Sequence, residues 1–149
     1  MGDFALTSPA WASGEVIPSR HTCEGEDVSP ALAWSGTPDG TRSLALVVSD
    51  PDAPGGTFFH WLAWGIDPAA NGLDEGEAAP VEGTNDFGST GYGGPCPPRG
   101  HGPHRYVFRL CALDGELELE GGARAAEVDS AIRARWVAGA ELVGTYERR

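Results

Sequence analysis

Lysine is missing from this chain of 149 residues: all ten basic residues are arginine, set against 22 acidic ones for a net charge of −12. So little positive charge disfavours non-specific nucleic-acid binding and docking on an anionic leaflet, both of which need basic clusters. Cysteine is also scarce. Cys23, Cys96 and Cys111 are an odd number at wide spacing, which argues against a disulfide scaffold and for a reduced, cytoplasmic setting. No run approaches the roughly 20 apolar residues of a membrane span. Met1 to Arg20 holds neither a basic start nor the apolar core of a secretory signal. The expectation is a cytoplasmic protein with no integral membrane association and no nucleic-acid partner.

What is present suits one packed domain over residues 1–149. Hydrophobic residues make up 40% of the chain and include five Trp, too many for a disordered segment. At this length roughly 68–70% of the unfolded surface can be buried without help from a metal or a crosslink. Strand-like runs come first: Ser43–Val48, Phe58–Ile66 and Arg105–Leu113, each rich in β-branched or aromatic residues and bounded by Gly, Pro or Asp. The third alternates, with Tyr106, Phe108 and Leu110 on one face and Val107, Arg109 and Cys111 on the other. One segment reads as a helix, from Ala125 through Val128, Ile132 and Trp136, with an Asp129–Arg133 pair on its solvent side and a stop at Gly139. A short last strand is expected over Glu141–Tyr146. The pattern defines a mainly β domain.

Between Asp67 and His104 the chain carries nine Gly and six Pro. A long irregular stretch inside a compact domain is usually functional or disordered. Its C-terminal end concentrates Tyr92, Cys96, His101 and His104, which favours function.

Three features carry chemistry. Asp50-Pro51-Asp52-Ala53-Pro54 follows a hydrophobic strand, and its two prolines hold the carboxylates rigidly; the plainer alternative is a surface turn. His60 stands before Trp61 in an apolar strand, where a buried imidazole needs partners for both nitrogens; a satisfied core histidine is the alternative. Gly91 through Tyr106 holds glycines able to turn backbone amides toward an anion and prolines that limit the entropy lost on binding. His104 and Tyr106, two apart at a strand start, share a face; a rigid surface loop is the alternative here. Other templates fail. Cys96 stands where a dinucleotide fingerprint needs Gly, no nucleophile elbow or P-loop occurs, and Cys96, His101 and His104 match no common structural-zinc spacing. No metal or cofactor is implied.

Taken together these pieces resemble the phosphatidylethanolamine-binding protein family, also called Raf kinase inhibitor-like, in its short bacterial and archaeal branch. The resemblance runs through Thr22-Cys23-Glu24-Gly25, Ser29-Pro30, Leu32-Ala33-Trp34, Asp50-Pro51-Asp52-Ala53-Pro54, His60-Trp61, Pro97-Pro98 with Gly100, His104-Arg105-Tyr106 and Glu141 to Tyr146. It implies two packed antiparallel sheets flanked by a few helices, one near the C-terminus. It also implies a small pocket for phosphate, a phospho-headgroup or a carboxylate. Carried over by position, the pocket uses Asp50, His60, Pro98, His104 and Tyr106, bordered by Asp52 and the Gly93-Gly94 backbone. The resemblance allows a homodimer. The longer tail and extensions of eukaryotic members are absent, so Raf kinase binding does not transfer.

A carboxylate beside an anion site needs a reason, since like charges repel. The expectation is that Asp50 hydrogen-bonds a pocket histidine, raises its pKa and fixes its tautomer. A non-enzymatic module binding a small anion or a phosphorylated partner is the leading reading. The alternative is an enzyme using Asp50, His60, His104 and Tyr106 for proton transfer, cyclisation or hydrolysis on a small metabolite. A third is an interaction protein acting through its acidic runs, Glu24–Asp27 and Asp74–Glu77.

Overall fold

The apolar runs become strands, and their alternation sets which face each residue takes. The computed structural model describes residues 2–149. Its strands are β1 (Ala5–Thr7), β2 (Leu32–Ser35), β3 (Ser43–Asp50), β4 (Phe58–Ile66), β5 (Gly72–Leu73), β6 (Val81–Glu82), β7 (His104–Leu113) and β8 (Trp136–Tyr146). They form a three-stranded sheet in the order β1-β2-β5 and a five-stranded sheet in the order β6-β4-β3-β7-β8. All the pairings are antiparallel. Among the described residues, helical structure is limited to a short 3-10 turn at Ser19–His21 and α1 at Ala125–Ala134.

The five-stranded sheet is covered on both faces. Its inner face presents Leu44, Leu46, Val48, Phe108 and Leu110 to Trp34 and Leu73 of the small sheet, with Trp11 and Ile17 closing the same core. Its outer face presents Ala45, Leu62, Trp64, Cys111 and Leu113 to Val128 and Ile132 of α1. The alternation read along β7 is therefore real: Tyr106, Phe108 and Leu110 go inward, while Cys111 faces the helix.

Two expectations are corrected. The helix ends at Ala134, before Trp136, which instead opens β8. Arg135 leaves helical geometry at φ −120°, ψ 11°, and β8 pairs with β7 from Trp136 to Tyr146. Gly139 lies within that strand rather than ending a helix, and the last strand reaches five residues further back than its sequence suggested. The long ladder with β7 outweighs one apolar position at helical spacing, and Trp136 is left exposed.

The second correction concerns sulfur. Cys23 and Cys96 form a disulfide, contrary to the expectation drawn from their number and spacing. Separation along the chain does not measure separation in space. The segment after Ser19–His21 lies against the glycine- and proline-rich loop, where Cys23 N–H donates to the Pro95 carbonyl (3.1 Å). There, too, the Tyr92 hydroxyl donates to the His21 carbonyl (2.6 Å). Cys111 remains free and buried. The bond removes the basis on which a reduced cytoplasmic compartment was expected.

Candidate functional site

Antiparallel pairing brings the C-terminal end of β3 beside the N-terminal ends of β4 and β7. Asp50, His60, His104 and Tyr106 therefore gather at one edge of the inner core, all nearly or wholly buried. His60 arrives there by an irregularity. Val48 pairs with Trp61 and Ser49 with Phe59, so His60 has no partner in β3. A bulge of this kind re-aims a side chain. It lets His60 pack edge-on against Tyr106, ring centroids 5.3 Å apart, while Trp61 still enters the inner core.

These four residues, with Pro98, line a cavity of about 200 Å³. Ala53, Pro54, Phe58, Phe87, Cys96 and Pro97 complete its wall. The proline wall is tied down on both sides: Cys96 by its disulfide, and the Pro97 carbonyl by the Arg148 guanidinium at 2.7 Å.

The hydrogen bonds fix protonation. Nδ1 of His104 lies 2.6 Å from Oδ2 of Asp50; the carboxylate accepts, so Nδ1 carries the proton. The other carboxylate oxygen accepts from the Asp52 N–H at 2.8 Å. Nε2 of His104 is in turn 2.6 Å from Nδ1 of His101. His60 donates from Nδ1 to the Gly93 carbonyl at 2.8 Å, since a carbonyl can only accept. Burial lowers the His60 pKa, outweighing the Gly93 hydrogen bond and the Asp50 charge. It is therefore neutral and turns a lone pair out at Nε2.

Tyr106 completes the polar floor. Its hydroxyl is buried with no hydrogen-bond partner among the described residues. Burial first, then the charge and close approach of the Asp50 carboxylate, push its pKa up, so it stays protonated; with Asp50 it makes no hydrogen bond of ordinary geometry, which leaves its proton available as a donor. A buried hydroxyl left unpaired carries a desolvation cost, which a bound acceptor would relieve.

Three of the residues carried over by resemblance stand one layer back, outside the cavity lining. Asp52 takes both a backbone N–H and the guanidinium of Arg105, which holds its carboxyl at about 2, below the usual 3.8. Gly93 N–H donates to the His60 carbonyl at 2.9 Å. Gly94 N–H donates to Asp27 at 2.8 Å. The amides of this glycine pair are thus committed internally, and their part is to position His60 and the loop.

Sequence reasoning missed the aromatic wall. Phe58 and Phe87 meet edge to face at 4.8 Å, and each also touches the His60 ring. Phe87 lies in an irregular loop, where no periodic signal in the sequence marks it. The sequence places His101 in the functional stretch but gives no sign of its hydrogen bond to His104. Cys96, in the same stretch, is bonded to Cys23.

Comparison with known proteins identifies the family to which the chain belongs. The family model described as phosphatidylethanolamine-binding protein matches residues 7–147. The chain belongs to the phosphatidylethanolamine-binding protein family. Among its relatives, UPF0098 protein PH1269 of Pyrococcus horikoshii is 45% identical over 95% of this chain and 76% of its own. LppC of Mycobacterium tuberculosis, named as a candidate lipoprotein, is 43% identical over 97% of this chain and 72% of its own. The crystal structure of Escherichia coli YbcL, described as a new member of the mammalian family, superposes with a TM-score of 0.94. It is 35% identical, covering 99% of this chain and all of that one. Among the described residues no helix is long and apolar enough to cross a membrane.

Proposed function

We propose that the cavity binds a small oxyanion, a phosphate, phospho-headgroup or carboxylate, free or carried on a partner, and that it does so without catalysis. The observation that carries this reading is the unpartnered, buried Tyr106 hydroxyl beside the Asp50–His104 pair. Tyr106 offers a neutral donor. His104 is held in one tautomer and one orientation beside it by Asp50. Both oxygens of Asp50 are already engaged, so its charge is compensated rather than turned toward a ligand. The apolar wall excludes water, which strengthens whatever polar contacts form.

The test is thermal stability against phosphomonoesters, carboxylates and phosphoethanolamine, with His104→Ala beside the wild type. A ligand at 100 times its dissociation constant adds about 2.7 kcal/mol, which moves the midpoint by several degrees at this size. A shift that disappears in His104→Ala supports an anion site; no shift with any compound contradicts it.

A second reading, acid–base catalysis on a small metabolite, is favoured by the buried Asp50–His104 hydrogen bond, which orients an imidazole as a general base requires. The nucleophile it would need is not Cys96, which is in a disulfide. Turnover that His104→Ala abolishes, with folding intact, would establish it.

A further inference from the structure

His104 has two ring nitrogens, and both are taken. Nδ1 is held by Asp50 and Nε2 by Nδ1 of His101, each at 2.6 Å. No ligand can reach the imidazole edge while those bonds stand. Of the two partners, Asp50 is buried and further fixed by the Asp52 amide. His101 is exposed, at the tip of a loop.

The backbone around His101 is suited to movement. Gly100 and Gly102 flank it with φ of +74° and +86°, and nothing lies within 4 Å of where either would carry a side chain. Glycine on both sides leaves the backbone at His101 sterically free to adopt other conformations. The tip is held by few bonds: His101 N–H to the Pro98 carbonyl at 3.2 Å and Gly100 N–H to the Arg148 carbonyl at 2.9 Å. The His101 ring also lies against His104, centroids 4.8 Å apart. Its removal breaks one side-chain hydrogen bond and one ring contact, both partly open to solvent.

We infer that His101 is the pocket's own competitor for His104, occupying the outer nitrogen in the empty protein and stepping off it when an anion binds. The inference rests on the anion reading above and adds a specificity element to it. One proton lies between His101 Nδ1 and His104 Nε2. An oxyanion replaces His101 as the partner when that proton is on His104, so the affinity measured is reduced by the stability of the His101 contact. Ligands too weak to displace the ring are rejected.

The test is calorimetric titration of the whole chain with inorganic phosphate, wild type against His101→Ala, together with imidazole nitrogen NMR of the wild type. Removing a competitor worth one net hydrogen bond should tighten phosphate binding about three- to tenfold. On saturating the wild type with phosphate, the His101 ring signals should move to those of a solvent-exposed imidazole. Unchanged or weaker binding in His101→Ala, or His101 signals that do not respond to bound phosphate, overturns the inference while leaving the anion site standing. Phosphate binding absent from both proteins, with no thermal shift from any other compound, overturns the anion reading and this inference with it. The NMR readout does not depend on the variant, so a folding defect in His101→Ala leaves the test intact.

Discussion

Oδ2 of Asp50 and Nδ1 of His104 lie 2.6 Å apart, with both side chains buried. The two residues are 54 apart in sequence and meet because β3 ends where β7 begins. Tyr106 stacks on His104 with ring centroids 6.5 Å apart, His60 packs edge-on against Tyr106, and the loop prolines Pro97 and Pro98 line the same cavity.

That loop depends on the disulfide. Cys23 and Cys96 are 73 residues apart. A loop of this size closed by a crosslink gains about 4 kcal/mol in the chain-entropy account. Replacing both cysteines by serine should lower unfolding stability by roughly 2–5 kcal/mol, measured by urea denaturation. Equal stability of the two proteins would mean the loop is held without the bond.

The remaining thiol gives a second check. Burial pushes the Cys111 thiol up to about 12, and thiolate is the reactive form. Native protein should show no fast-reacting thiol, and unfolded, non-reduced protein should show one. Three thiols in protein unfolded without reductant would mean that Cys23 and Cys96 are unpaired in the compartment it came from.

His60 gives a pH signature with a definite sign. Its folded-state pKa lies below the ordinary 6.5 because of burial. Protonation therefore favours the unfolded chain: the contribution is full above pH 6.5 and is lost as the pH falls through the lower folded value. Denaturation of wild type and His60→Asn between pH 8 and pH 5 should show a smaller acid loss in the variant. An equal loss in both would assign the acid sensitivity elsewhere.

Phe87 separates pocket from core. Its ring is half-exposed and forms wall rather than interior. Phe87→Ala should leave unfolding stability within about 1 kcal/mol, as at other partly exposed positions. It should weaken ligands with an apolar arm more than it weakens phosphate. Equal weakening of both would mean that the ring acts only by ordering His60.

Much of the fold was legible because period-2 alternation and bounding Gly or Pro residues are local signals. The alternation along β7 puts Tyr106, Phe108 and Leu110 on one face, and packing against the small sheet makes that face the inner one. Asp50, His60 and His104 also stand out in the sequence, Asp50 and His104 as polar residues at the ends of apolar runs and His60 as a polar residue within one. What was not legible was set by pairing across the sheet. The extent of β8 depends on β7 rather than on its own pattern, which is why Trp136 misled. The Cys23–Cys96 bond depends on how two irregular segments pack. The bulge at His60 and the hydrogen bond from His101 to His104 exist only once register and loop path are fixed.

The most direct test of the central claim is calorimetric titration with phosphate at pH 7, comparing wild type with Asp50→Asn. The substitution keeps the shape but removes the charge that holds His104. Hydrogen bonds to charged groups are worth about 1.5–3 kcal/mol, so phosphate affinity should fall at least about tenfold while the fold, followed by circular dichroism, is retained. The same affinity in both proteins would contradict the account, because His104 would then need no carboxylate to serve the pocket.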